Sequence, residues 1–513
     1  MASRSAGIFH AIALLGWWAK SVLLEHRRPR RRFTFGTQVA LDNSILSLLI
    51  FPLEYKRRSG LAFAYPITSQ IKGEMSSRRN FLRNAGAGLA LTPGFASVLT
   101  PGTLVGQGAG ASNSPVLLPP SIAALKSMKD QAKPISTDER RTRIEQARRL
   151  MTERRIDALM LMGGTSLVYF SNLRWGGGER LFALILPAKG EPFFVCPAFE
   201  RDRAEEQIAL SPFAGSGDVR TWEEDESPYI RIAEGLRDRG LSTGRLGMEE
   251  TVHFAFSDGV GKAAPAMNIV SGTPVTAGCR MRKSDHEIAL MQLATQVTIT
   301  AYEAAWRALE PGMTQHQLRQ FIDAAYSQLG FPGEASVNVG QYSALPHGSI
   351  QPQTIHEGEI VMIDDGCVVE GYVSDITRTF VLGKPTDKMR QVFDIVHRAQ
   401  KAALETARPG VEAQAVDAAA RKVIADAGYG PDYKYFKHRL GHGMGMDGHE
   451  WPYLVRGNSL KLEPNMTFSD EPGIYIHGEF GVRLEDGLHV MENGAELFTG
   501  QSASLEQPFA QST

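Results

Sequence analysis

One interval occurs twice in the C-terminal half of this chain. Pro311 to Gly330 and Pro409 to Gly428 cover the same number of positions, and Leu329-Gly330-Phe331 echoes Ala427-Gly428-Tyr429. Each interval comes after a helical stripe. The first stripe carries Leu290, Ala294, Val297, Ala301, Ala305 and Ala308; the second carries Met389, Val392, Phe393, Val396 and Ala399. Ser284 with Glu287, and Thr314 with Gln317, have the spacing of capping boxes. Gly330 suits a helix C-terminus. Pro-Gly ends many helices, so the downstream residues decide: each unit is succeeded by a strand pair bearing two acids. Asp364 and Asp375 succeed the first, Glu471 and Glu485 the second. A duplication of this kind predicts two similar halves facing each other, with four carboxylates on their midline.

The acids sit where burial is costly. The apolar run Ile360 to Ile363 ends on Asp364. Gly366 and Gly371 mark bends around the extended Val368, Val369, Tyr372 and Val373, and Asp375 comes next. Ser469-Asp470-Glu471-Pro472-Gly473 likewise ends an apolar run on an acid and a turn. Val482 to Glu485 alternates, which predicts one strand with Arg483 and Glu485 on a shared face. Buried carboxylates call for a positive partner. His438, His442 and His449 lie among glycines that permit close approach. Four carboxylates and an imidazole suffice for two hard or borderline divalent ions. Two such ions about 3.5–4 Å apart activate water and stabilise an oxyanion, the chemistry of carbonyl hydrolysis. Cys196, Cys279 and Cys367 are isolated and form neither a disulfide framework nor a zinc-finger pattern.

The chain's 513 residues exceed one core, and its net charge of −1 gives no reason to expect nucleic acid as a partner. Residues 1–74 read as an upstream extension, disordered or foreign to the native protein. Their apolar stretches, Ile8 to Leu24 and Ile45 to Leu53, are interrupted and short of the about 20 residues that span a bilayer. From Met75, Ser77-Arg78-Arg79-Asn80-Phe81-Leu82-Arg83 resembles a twin-arginine export signal, followed by an apolar Ala85 to Leu91 and an Ala109-Gly110-Ala111 cleavage site. Residues 75–111 are therefore expected to be a signal peptide starting at Met75. The mature chain is expected to be periplasmic or extracellular, without a stable membrane anchor. A linker is expected over 112–134, an α/β domain over 135–275, a catalytic domain over 276–500 and a tail over 501–513. In the first domain, strands near 157–162, 182–186 and 193–195 alternate with helices from Thr137, Glu200 and Tyr229. Gly176-Gly177-Gly178 has no phosphate-loop context and reads as a turn.

Asp364-x-Gly366, Ser374-Asp375-Ile376-Thr377-Arg378-Thr379, Gly441-His442-Gly443, Glu471-Pro472-Gly473 and Arg483-x-Glu485-Asp486 together resemble the pita-bread metallopeptidases, nearest to aminopeptidase P and prolidase. The resemblance covers roughly residues 135–500. It implies a creatinase-like α/β N-terminal domain and an α+β pita-bread catalytic domain with an internal pseudo-twofold repeat. It further implies two divalent metal ions, manganese first, with cobalt, zinc or iron compatible. Asp364 would bind one ion, His442 and Glu471 the other, and Asp375 and Glu485 would bridge. His347 would contact substrate, His449 would help hold the scissile carbonyl, and Glu471 would also manage the proton. Arg378 and Arg483 are expected behind the carboxylates. The implied reaction is release of the N-terminal residue from peptides with proline second, by a metal-bridging hydroxide, in a homodimer. A prolidase confined to dipeptides, a metal-free creatinase-type hydrolase and a non-catalytic peptide-binding module are the alternatives. Asp365 stands where family members carry a small residue, although the spacing to Asp375 favours Asp364 as the ligand. Gln341-Tyr342 also departs from the family pattern and reshapes the expected pocket.

Overall fold

The computed structural model describes residues 118–509, apart from Ser216. The extension and the signal segment lie outside them. Among the described residues no helix is long and apolar enough to cross a membrane.

The N-terminal domain is a mixed sheet of β1 (Ala158–Met162), β2 (Ala183–Pro187), β3 (Phe193–Pro197), β4 (Val219–Trp222), β5 (Gly244–Met248) and β6 (Met267–Ser271), in the order β4-β3-β2-β1-β5-β6. Strands β1, β2 and β3 pair antiparallel; the outer pairings are parallel. Both faces are covered, so these strands read as continuous apolar runs. Leu159 and Leu161 enter one core; Ala158 and Met160 enter the other. The helix Thr137–Arg154 starts at a capping box in which Ser136 and Glu139 satisfy each other's backbone N–H groups.

The catalytic domain repeats one motif. The helices Asp285–Trp306 and Gln315–Leu329 precede β7 (Ser336–Val339), β8 (Ile360–Asp364), the hairpin β9 (Val368–Val369) and β10 (Tyr372–Val373), and β11 (Arg378–Val381). The helices Asp387–Thr406 and Ala413–Ile424 precede β12 (Gly441–Gly443), β13 (Glu450–Leu454), β14 (Thr467–Asp470), the hairpin β15 (Gly473–Ile476) and β16 (Phe480–Arg483), β17 (Asp486–Met491) and β18 (Gly494–Leu497). Both expected capping boxes form at Ser284 and Thr314, and Gly330 takes the left-handed conformation at φ 92°. Strands β8 and β11 are antiparallel neighbours, as are β14 and β17. In each half, strand, acid, hairpin, acid and strand therefore come in that order.

Backbone hydrogen bonds repeat as well. Gly312 N–H donates to the Ile355 carbonyl (2.8 Å) and Ile355 N–H to Met313 (2.7 Å). In the second half Gly410 donates to Leu462 (2.9 Å) and Leu462 to Val411 (2.8 Å). Each half has its own apolar core under its helix pair. The fold is thus a creatinase-like domain followed by a duplicated pita-bread domain, as the motifs implied.

Three details differ from the sequence reading. The Val482–Glu485 run is not one strand: β16 ends at Arg483 and β17 begins at Asp486, so Glu485 occupies the break, its N–H donating to the Thr377 carbonyl (3.2 Å). The described part of the linker, 118–134, is docked. Its short helix Pro120–Ala123 buries Ile122 in the first catalytic core, and the Ser121 hydroxyl donates to the Ala304 carbonyl (2.8 Å). The tail is docked through residue 509, with Leu505 buried and its carbonyl accepting from Val381 N–H (3.0 Å). Leu505 is a single apolar residue in polar surroundings, and Ile122 lies in a short apolar stretch broken by Pro119 and Pro120, so neither has a periodic signal.

Candidate metal centre

Asp364 ends β8, and Asp375 comes after β10 on the turn into β11. Gly366 lets these turns meet: a Cβ there would lie 2.1 Å from the Ser374 carbonyl oxygen. Gly441 does the same before His442, where a Cβ would sit 1.9 Å from the Ser469 carbonyl. The result is a cluster at the midline. Asp364, Asp375 and Glu485 present oxygens within 4.8 Å of one another; the ligand atoms of His442, Glu471 and Glu485, and those of Asp375, His442 and His449, are equally close. His442 Nε2 lies 3.3 Å from Glu471 and 3.6 Å from Asp375. All five sequence-expected ligands therefore converge, with His449 beside them.

The electrostatics suit cations. Burial, reinforced by the Asp364 charge, pushes the Asp375 carboxyl far above its ordinary range. Burial and Asp375 do the same to Glu485. Glu471 moves the other way: burial opposes ionisation, but hydrogen bonding to His442 and the charges of His438 and His442 outweigh it. Among the described residues, Arg483 is the guanidinium in ion-pair contact with these carboxylates, reaching Asp364 and Glu485. One guanidinium and an imidazole do not balance four packed carboxylates. His442 Nδ1 faces its neighbour's carbonyl, Gly443 O, at 3.2 Å, which leaves Nε2 toward the acids. Oxygen-rich donors with one nitrogen fit hard or borderline divalent ions.

The supporting shell includes residues that the sequence did not expose. Thr377 Oγ1 contacts both Asp364 and Glu485, the latter at 2.7 Å, and accepts from Arg483 Nε at 2.9 Å. Its position two residues after Asp375 on extended chain was the available signal, since that period returns a side chain to the same face. Arg483 also donates to the Tyr475 hydroxyl (3.1 Å), and Tyr475 donates to His438 Nε2 (2.7 Å). His438 thus belongs behind Glu471, with Nδ1 3.5 Å from it, rather than among the ligands. Arg378 pairs with buried Asp486 at 2.6 Å and donates to the Glu485 carbonyl at 3.0 Å. Both arginines therefore stand behind the carboxylates.

Asp365 has a backbone role. Its φ is 92°, and its carbonyl accepts from Ile376 N–H (3.0 Å) and the Tyr302 hydroxyl (3.0 Å). Asp tolerates the left-handed region better than most residues, so it can stand where a small residue is usual. Asp365 is in none of the ligand groups, whereas Asp364 is.

His449 is exposed and stacks on His442 with ring centroids 3.7 Å apart. Its inner face is shielded from water by the His442 ring, and that desolvation, followed by the His442 charge, pulls its pKa down to about 4. A neutral imidazole at pH 7 can accept or donate one hydrogen bond at a reacting carbonyl. His347 is exposed on a turn after the short helix Gly340–Ala344 and belongs to none of the ligand groups. The preceding Pro346 carbonyl accepts from Arg483 at 2.9 Å. A cavity of about 490 Å³, lined by His449, Trp451 and Tyr453 together with Gly163, Glu249 and Arg280, opens between the two domains.

Known proteins carry the same architecture. Residues 289–492 match "Metallopeptidase family M24" and residues 143–282 match "Creatinase/Prolidase N-terminal domain". The chain is 33% identical to an Xaa-Pro dipeptidase of Lactobacillus delbrueckii subsp. lactis over 69% of its own length and 96% of the relative's. The crystal structure of dipeptidase PepE from Mycobacterium ulcerans is similar with a TM-score of 0.67 at 32% identity, covering 73% of this chain and 99% of that one. An X-Pro aminopeptidase structure from Thermotoga maritima gives 0.61 at 27% identity, covering 71% and 99%. With a relative this similar matched almost end to end and the midline ligands assembled, the chain belongs to metallopeptidase family M24.

Proposed function

We propose that this protein is a dinuclear-metal Xaa-Pro peptidase that releases the residue preceding proline, with dipeptides as its preferred substrates. The observation that carries the metal chemistry is the convergence of Asp364, Asp375, His442, Glu471 and Glu485. The dipeptide preference draws on the names of the curated relatives, among them the Xaa-Pro dipeptidases of L. delbrueckii and L. helveticus, 33% and 34% identical. Asp364 would hold one ion, His442 and Glu471 the other, with Asp375 and Glu485 between them. When bound, the ions supply an activated water and polarise the scissile carbonyl. The chain's own residues do the rest. Glu471, paired with His442, takes and returns a proton. His449 and His347 flank the carbonyl and the leaving nitrogen. Arg483 and Thr377 hold the carboxylates in place.

The test is metal analysis of the purified enzyme followed by turnover of matched Xaa-Pro and Xaa-Pro-Yaa peptides. Two equivalents of divalent metal, manganese first, and faster cleavage of the dipeptide are expected. Preference for the tripeptide would favour the aminopeptidase reading. Metal-free turnover would indicate a creatinase-type hydrolase, and peptide binding without turnover a non-catalytic module. We further propose export through the twin-arginine signal at 75–111 and a homodimeric mature enzyme. Arg78 and Arg79 replaced by lysine should retain the protein in the cytoplasm, and light scattering should give twice the chain mass.

A further inference from the structure

The N-terminal domain reaches toward the bridging carboxylate through three buried side chains. Arg143, on the helix Thr137–Arg154, stacks over the Tyr169 ring at 4.0 Å and donates to the Tyr169 carbonyl at 3.0 Å. Its other nitrogen lies 2.7 Å from the Tyr372 hydroxyl and 3.1 Å from Glu287. The Tyr372 hydroxyl in turn donates to Glu287 Oε1 at 2.7 Å. All three are buried: Arg143 is 6% exposed, Glu287 3% and Tyr372 1%. Glu287 Oε2 meanwhile accepts the Ser284 N–H at 2.8 Å, closing the capping box of the catalytic helix. The triad therefore joins the first domain, the first catalytic helix and strand β10 at one point.

Strand β10 leads directly into Asp375, and each intervening residue is fixed. Val373 N–H donates to the Gly445 carbonyl at 2.8 Å, three residues beyond His442. Ser374 Oγ lies 2.8 Å from Thr298 Oγ1 and accepts the Cys367 N–H at 3.0 Å. Ser374 and Val373 take partners within the catalytic domain; Tyr372 is tied to the other domain. A packing role alone would be met by a phenyl ring in an apolar site. Burial of a charged pair around one hydroxyl is costly unless the geometry is closely defined, so the pair specifies where the hydroxyl must be.

We propose that Tyr372 is a positioning residue for Asp375, and that Arg143 and Glu287 make the affinity of the metal centre depend on the seating of the N-terminal domain. This rests on the metal-centre reading but not on which peptide is cleaved. The experiment titrates the metal-free full-length enzyme with manganese by calorimetry, for wild type, Tyr372→Phe, Arg143→Met and Arg143→Lys, and follows thermal melting beside it. Residues that orient metal ligands typically change affinity by about 10–100-fold when replaced. Tyr372→Phe, which keeps the ring, should weaken manganese binding about tenfold with little change in melting temperature. The manganese concentration for half-maximal activity should rise in parallel, while kcat at saturating manganese recovers. Arg143→Lys should lie between wild type and Arg143→Met. Wild-type manganese affinity in Tyr372→Phe overturns the proposal, whatever its melting temperature, and that variant decides the matter should Arg143→Met not fold. If the wild type itself binds neither manganese nor cobalt, zinc or iron, the metal-centre reading falls and this proposal with it.

Discussion

Asp375→Asn should stabilise the metal-free enzyme while abolishing its response to metal. The substitution is nearly isosteric and removes one charge from a cluster that has too many. In the folded metal-free protein, burial and then Asp364 raise the Asp375 carboxyl from 3.8 to about 8. A carboxyl raised on folding is protonated in the folded state while the unfolded chain has already ionised. Its contribution is therefore a penalty that is absent below pH 3.8, grows as pH rises and levels off above about pH 8. At about 1.4 kcal/mol per unit, the penalty at pH 7 is roughly 4 kcal/mol, and water entering the open site brings it to about 2–4 kcal/mol. An amide carries no such penalty. Melting in EDTA at pH 7 should show Asp375→Asn a few degrees above wild type. At pH 4 the two midpoints should converge. Excess manganese should raise the wild type, by about 2.7 kcal/mol per site at a hundred times the dissociation constant, and leave the variant unmoved. Turnover should be lost with the metal. A metal-free variant melting below wild type at pH 7, yet gaining as much from manganese, would refute both the charge argument and the bridging role.

Gly366→Ala should weaken metal binding without touching a ligand. The new methyl would meet the Ser374 carbonyl at 2.1 Å, so the turns carrying Asp364 and Asp375 must separate, at a cost of about 1–3 kcal/mol read from chemical denaturation. Arg378→Met leaves Asp486 buried without its partner and should cost about 3–5 kcal/mol, with partial recovery when Asp486→Asn is added; an unchanged denaturation midpoint would contradict the ion-pair reading. The three thiols should be inert at pH 8. Burial raises Cys196 and Cys279 to about 12 and Cys367 to about 11, so each stays protonated, and a thiol reagent should titrate them only after urea is added.

The features legible in the sequence are the ones encoded locally. Ser284 and Thr314 cap helices through bonds to residues three positions on, so their role needs no tertiary structure. Asp364 stands out because an apolar strand ends on it, and the resemblance supplied the rest of the ligand set. The residues that escaped detection act across the fold. Thr377 touches Asp364 and Glu485, 13 and 108 positions away, and Tyr475 connects His438 to Arg483. An isolated Thr or Tyr has no periodicity to betray it. Arg143 is similar: on a helix rich in arginine it looks like solvated surface until Glu287 and Tyr372 close over it. The same reason hid Ile122, whose apolar contact lies on a helix far along the chain.

The duplication explains why the site lies at the midline and also why it is not symmetric. A strand–acid–hairpin–acid–strand unit supplies two carboxylates per half, and joining two halves face to face brings four together without any segment having to reach far. Such a centre would still bind two ions alike. The halves differ in what surrounds the acids. The second contributes His442 from β12, backed by Gly443, and sets His438 beside Glu471. It also contributes Arg483, which crosses to Asp364 in the first half. The Asp364 end therefore carries a guanidinium, while the Glu471 end carries imidazoles that lower that carboxyl's pKa. Burial and neighbouring acids raise Asp375 and Glu485, in the middle. The scaffold is repeated and the electrostatics are graded, so under the proposed reaction a peptide bond entering between His347 and His449 would meet one end suited to holding charge and the other to moving a proton.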